Sequence, residues 1–366
     1  MRIKRFLFFI LIMMLFSCTK KEYREKDIVE AFLKHGYNKF SEEEVRNALD
    51  KGIINLKKLD KNFELINIKG KIKKTPSAKS FSEFYYPFIL KKRGDDYLIV
   101  KVFDYTIAYE AGLRNGIFKS LNGKIPSKIP CQLNDEINKA NEIRISFNDG
   151  NADWSVNLTK EMSVFPFIWS SIVDDGIAYV NLIALSKNSS RYFFNNITNL
   201  IKRGVNKIIL DLRDVSGGDY LEAANIAGYF SKNKKTYQIR SSKKGYNRNF
   251  EVLDNPFSDV KVVVIVNKKT SLLGEIVAWV LRENEAIVVG ENTANQLYIT
   301  KMFKVGENSV ISISVAKLFP PSLSDINTPL IPDYYAIYPN YKKYAITYVL
   351  DCDDAFSKAL EVIKGI

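Results

Sequence analysis

Residues 207–218 read KIILDLRDVSGG. The run from Lys207 to Leu212 is largely apolar and predicts a buried strand. Asp211 and Arg213 fall at its end, where a free charge is costly, so the two are expected to be paired. Gly217-Gly218 then lets the backbone turn. That turn is either a plain strand-to-helix connection or a place where two N–H groups point outward, the arrangement that stabilises a tetrahedral oxyanion.

Outward from this stretch, strands and helices alternate. Gly176 to Leu182 and Val260 to Val266 are strands of largely apolar residues, and Ala286 to Val289 is another. Ser189 to Lys202, Tyr220 to Phe230 and Leu272 to Arg282 read as helices between them. Such alternation predicts an α/β class and a layered core with parallel pairings over residues 163–366. Residues 80–162 change character. Tyr97 to Phe103 is a β run, Ala108 to Leu113 a short helix, and Asn122-Gly123 a hairpin signal between Ile117–Leu121 and Ile125. Glu142 to Phe147 and Trp154 to Leu158 alternate around Asn148-Asp149-Gly150 as a second hairpin. This is a small β-rich module. Residues 19–79 read as a polar tether and a small helical segment, with Ser41 and Glu44 placed for a capping box. No period repeats.

The first residues are an address. Arg2, Lys4 and Arg5 precede an apolar run from Phe6 to Phe16, too short to span a membrane comfortably and of the length of a signal core. It ends in Leu15-Phe16-Ser17-Cys18, a lipobox-like ending that predicts a signal peptide over residues 1–18 and lipid attachment at Cys18. Cys131 and Cys352 lie far apart in sequence; they read as buried free thiols, with their pairing undecided. Hydrophobic residues make up 46% and charged residues 26%, which describes a globular chain rather than a disordered one. The single histidine, His35, excludes a multi-histidine zinc site and is read as a solvated surface residue. The net charge of +13 sits partly in short lysine clusters beside turns and has no nucleic-acid motif with it, so no nucleic-acid partner is expected.

Several segments together resemble the C-terminal processing peptidases, or tail-specific proteases. Ala108 to Gly116 (AYEAGLRNG) with Leu121 to Lys124 (LNGK) is similar to the centre of their PDZ domain. Gly176 to Leu182, Ile209 to Gly218, Val264 to Ile276 (VIVNKKTSLLGEI) and Val288 to Thr293 (VVGENT) are similar to successive parts of their peptidase core. Ile331-Pro-Asp333 and Asp353 to Leu360 are similar to its closing segment. Order and spacing carry the resemblance over residues 80–362. It implies a peptidase core of this type with a PDZ-like domain, partners that are polypeptides or protein C-terminal segments, and no cofactor or metal.

The resemblance also places the reaction centre, and there the pattern breaks. The family's nucleophilic serine stands three residues before a glutamate that corresponds to Glu275, which puts Leu272 in its place. The lysine base falls five residues after Glu291, at Gln296, and an assisting glutamine four further on, at Thr300. Leucine has no nucleophilic atom, and an amide cannot take the proton that a buried lysine would accept. The resemblance further assigns the oxyanion site to Gly217 and Gly218, and peptide contacts of the PDZ-like module to Tyr86 and Phe88, beside Pro87, which has no N–H to offer a carboxylate. The leading expectation is an envelope lipoprotein, lipid-anchored on the periplasmic or extracellular side, that binds polypeptide with little or no hydrolysis. One rival is an active endopeptidase using Ser271 with Lys268, Lys269 or Lys301 as base; Ser271 also suits a helix N-cap. The other is a purely structural surface lipoprotein.

Overall fold

A computed structural model describes residues 23–68, 83–84, 86–161, 163–164, 166–232, 234–252, 254–323, 326–337 and 348–366. The signal segment and Cys18 lie outside them. The chain divides into two compact units, one built from the described residues before Thr75 with 240–247 and 298–317, the other from the remainder.

The first unit opens with α1 (Glu25–His35) and α2 (Glu42–Asp50). Ser41 and Glu44 form the expected capping box, each side chain meeting the other's backbone amide. The helical reading of the following residues holds only through a 3-10 turn at Ile53–Lys58. After it, β1 (Glu64–Asn67) is a strand, paired antiparallel with residues 309–312 of a long later strand. His35 is not simply solvated. It is half-buried, stacked on Phe303 with ring centroids 4.6 Å apart and hydrogen-bonded through Nδ1 to the Tyr246 hydroxyl at 2.9 Å. Burial, then the nearby Lys301 ammonium, pulls its pKa below the ordinary value.

The second unit begins with β2 (Glu83–Phe84), which pairs with β8 (Ser163–Val164) at the two ends of the β-rich module. Between them β3 (Phe88–Arg93), β4 (Asp96–Val102), β5 (Gly116–Leu121), β6 (Glu142–Asn148) and β7 (Asp153–Thr159) form an antiparallel sheet in that order. The short helix α3 (Ile107–Glu110) follows β4. No strand follows the Asn122-Gly123 turn. Instead Pro130 starts α4 (Pro130–Lys139), whose Leu133 and Ile137 are buried on the sheet.

The core sheet lies in the same unit. Its order is β18 (Tyr334–Tyr335), β15 (Ile287–Gly290), β14 (Lys261–Val266), β11 (Lys207–Asp211), β10 (Ile177–Leu182) and β9 (Ile168–Asp174). All neighbours are parallel except the β9–β10 pair. The apolar β-branched runs of β11 and β14 follow from burial on both faces. Helices α5 (Ser189–Ile201), α6 (Tyr220–Gly228), α7 (Leu272–Glu283) and α8 (Asp354–Lys364) follow or flank these strands, and Phe356, Ala359 and Ile363 of α8 pack on Ile209, Val263 and Val289. The hairpin β12 (Lys235–Arg240) and β13 (Arg248–Glu251) is an addition that the alternating pattern did not announce. Finally β16 (Tyr298–Lys304) pairs antiparallel with β17 (Ser309–Phe319), returning the chain to the first unit.

Cys131 and Cys352 are not free. They form a disulfide across 221 residues, from α4 to the turn that precedes α8. Sequence distance alone held no information on this, because the two meet only once the sheet is built.

Candidate active site

The expected pairing at the end of β11 is present. Arg213 meets Asp211 and, at 2.6 Å, Asp353. The Tyr179 hydroxyl donates to Asp211 as well. All four residues are buried, and the two carboxylates share the one guanidinium where water cannot supply a counter-charge. Asp353 also caps α8, accepting from the amides of Ala355 and Phe356. The cluster fixes where the chain leaves the sheet and enters the glycine turn.

In that turn Ser216, Gly217 and Gly218 are exposed. Gly218 has φ +145, and a Cβ there would stand 2.3 Å from the Leu185 carbonyl oxygen, so only glycine fits. Among the described residues neither glycine amide donates to a protein acceptor. Two N–H groups are thus left for another oxygen.

Leu272 faces this turn. A Cβ on Gly217 would find the Leu272 Cδ2 as its nearest neighbour, at 3.9 Å. Leu272 is the first residue of α7 and is held at φ +46, a left-handed conformation that a leucine adopts at a cost. Its surroundings over-determine it. The Ser271 amide donates to Val215, the Leu272 amide to Gln296 at 2.8 Å, and the Leu273 and Gly274 amides to Ser216. A Cβ at Gly274 would lie 2.3 Å from the Val215 carbonyl oxygen, so a glycine is needed for helix and turn to come this close. Strain of this kind concentrates at functional turns.

Ser271 occupies the N-cap position, but its hydroxyl makes no capping hydrogen bond. The amides it would have satisfied are already taken by the Ser216 carbonyl. Among the described residues no lysine is hydrogen-bonded to it. Lys268 and Lys269 are exposed, Lys268 being 4.0 Å from Glu291, without the apolar burial that makes a lysine a base. Lys301 belongs to the other unit, where it sits 5.9 Å from the Tyr246 and Phe303 rings.

Gln296 comes to the same place as Leu272 through the backbone: its carbonyl accepts from Leu272 and its amide donates to Glu275 at 3.0 Å. Its side chain is exposed. Glu275, a landmark for Leu272 in the sequence, has a structural part of its own. It is fully buried, and it also accepts from the Thr293 hydroxyl at 2.5 Å and from the Asn295 amide at 3.2 Å. Burial raises its pKa, with those donors opposing. A glutamate among the apolar residues that open this helix was the available signal for this clamp. Thr300 lies on β16 in the other unit, exposed.

Tyr86 and Phe88, expected to touch peptide, are both 0% exposed and face inward onto Tyr348. Among the described residues no group of three or more His, Cys, Asp or Glu is arranged to hold a metal ion.

The model of peptidase family S41 matches residues 176–336, which contain the glycine turn, the strained leucine and the Glu275 clamp. Over these residues the chain is similar to peptidase family S41. The carboxyl-terminal-processing protease of Picosynechococcus sp. is 29% identical over 118 residues, covering 32% of this chain and 28% of the relative. The carboxy-terminal processing protease CtpA of Bacillus subtilis is 25% identical over 215 residues, 56% of this chain and 45% of that one. The match therefore spans less than half the length of these relatives. Among solved structures, the photosystem II D1 C-terminal processing protease superposes with a TM-score of 0.52 at 18% identity, covering 87% of this chain and 94% of the other, which shows a shared fold.

Proposed function

We propose that the chain is a lipid-anchored envelope member of family S41 that engages extended polypeptide and hydrolyses it little or not at all. The observation that carries this is Leu272, held in the strained first position of α7 beside the Gly217-Gly218 turn, with the Gln296 backbone against it. The turn supports oxyanion contacts; the residue facing it cannot form an acyl-enzyme. What remains is binding and the oxyanion donors, a small part of a normal enzymatic rate. The export reading has separate support in the Cys131–Cys352 disulfide, since such bonds persist in oxidising compartments.

The test is turnover of unfolded casein by purified protein, beside Leu272→Ser/Gln296→Lys. The parent should show no steady cleavage, and the double variant measurable cleavage. Steady turnover by the parent that disappears in Ser271→Ala would sink the reading and promote the Ser271 endopeptidase, to which the uncapped Ser271 hydroxyl lends its one support. Anchoring is checked apart from this: Cys18→Ala should leave the membrane fraction or remain unprocessed.

A further inference from the structure

The β-rich module presents β3 as the edge strand of its sheet, with α4 packed beside it. An edge strand beside a helix is where a PDZ-type module takes an extended peptide, through main-chain hydrogen bonds. Here that place is filled. Residues 348–352 of the same chain run between β3 and α4. The Leu90 amide donates to the Tyr348 carbonyl at 2.6 Å, and Leu90 and Val349 form a parallel bridge. The Lys92 amide donates to Asp351 Oδ2 at 2.6 Å, and the Lys91 ammonium to Asp351 Oδ1 at 2.7 Å.

The helix side is equally engaged. Asn134 Oδ1 accepts from the Tyr348 amide at 2.8 Å, and Cys131, on the same helix, is bonded to Cys352. Tyr348 and Val349 are buried members of the module's own core, with Tyr348 beside the Tyr86 and Phe88 rings. At the head of β3, where a ligand carboxylate would be received, the described amides have partners inside the chain. Tyr86 donates to the Tyr348 hydroxyl at 3.4 Å, Phe88 to the Tyr86 carbonyl, and Pro87 has no N–H.

We infer that Tyr348–Cys352 is the resident ligand of the PDZ-like module, a segment docked in cis by one bridge at Val349, continuing as a 3-10 turn over Leu350–Cys352 and fastened at both ends. The aromatic anchor at Tyr348 holds one end; the Lys91–Asp351 pair and the disulfide hold the other. The module is thereby closed to peptides in trans, and its role is to fix the C-terminal segment that leads into α8. This goes beyond the proposed function, which places polypeptide at the Gly217-Gly218 turn and not on β3.

Hydrogen exchange read by mass spectrometry on the full chain in detergent tests it. Residues 88–93 should exchange slowly in the parent, and a fluorescein-labelled decapeptide with a free C-terminal valine should not slow them further. In Cys131→Ser/Cys352→Ser/Asp351→Asn, exchange over residues 88–93 should rise by about tenfold or more, since a charge-assisted contact and a covalent tether are lost. Residues 207–211 and 261–266 should stay as slow as in the parent. If those core strands also speed up, Asn134→Ala alone, with the disulfide kept, is the reading that counts, and it should accelerate 88–93 selectively. Free exchange of 88–93 in the parent, peptide-induced slowing there, or no acceleration in either variant overturns the inference. Peptide bound by the parent without slowing 88–93 supports it, and a failure to bind peptide at all bears on the proposed function alone.

Discussion

Two adjacent leucines should respond to truncation in opposite ways. Leu272 is half-exposed at φ +46, whereas Leu273 is fully buried. Replacing Leu272 by glycine removes left-handed strain of about 1–2 kcal/mol. It costs about 0.5–1 kcal/mol in added freedom of the unfolded chain. It also forfeits the buried half of a leucine side chain, about 1 kcal/mol. The three nearly cancel, so Leu272→Gly should lie within about 1 kcal/mol of the parent. Leu273→Ala opens a cavity at a fully buried position and should cost about 2–5 kcal/mol. Urea unfolding followed by tryptophan fluorescence, with the disulfide intact, measures both from the shift in midpoint at constant slope. If Leu272→Gly lost as much as Leu273→Ala, the position would be ordinary core rather than a strained turn, and the case for a preserved nucleophile turn would fail with it.

Other outcomes follow from named contacts. Glu275 has a raised pKa through burial. Its neutral form therefore favours the folded state fully below its ordinary value of 4.5, and that stability is lost as pH rises through the folded pKa. A pH series of urea midpoints should show this decline in the parent and not in Glu275→Gln. At neutral pH the same variant should unfold more easily by about 1–3 kcal/mol, because a glutamine nitrogen cannot accept from the Gln296 amide. Gly218→Ala should cost at least about 1–3 kcal/mol from its φ alone, and more because of the Leu185 carbonyl, in the same assay. Arg213→Met strands Asp211 and Asp353 without their shared cation and should cost about 3–5 kcal/mol, visible as a lowered thermal midpoint.

The alternating core was legible because its strands are buried on both faces and their helices carry one apolar stripe. Residues 207–211, 261–266 and 272–283 fell within a residue or two of where the pattern put them. Local chemistry marked Ser41 and Glu44 as a cap and Asp211 and Arg213 as a pair. Features set by distant segments were not legible. The helix at Pro130–Lys139 has only Leu133 and Ile137 as apolar periodicity and becomes amphipathic only against a sheet already formed. The strand at Glu64–Asn67 is mostly exposed, so it carries no alternation; its partner, more than 240 residues on, makes it a strand. His35 sits in a polar stretch, and its aromatic partners Tyr246 and Phe303 come from elsewhere in the chain. At the site, the resemblance pointed to Leu272 and Gln296, and the Leu272 amide does meet the Gln296 carbonyl, but no sequence signal tells that a leucine is held at a positive φ.

The Cys131–Cys352 bond encloses the glycine turn, α7 and the Thr293–Gln296 loop in one covalent ring. A single cut by another protease anywhere inside that ring cannot release a fragment. The nicked molecule keeps its mass on a gel run without reductant and separates into two pieces only when thiol is added. Closing a ring of this size also removes about 5 kcal/mol of chain entropy from the unfolded ensemble. A nick within it gives much of that back, so a clipped molecule would remain in one piece and yet melt earlier.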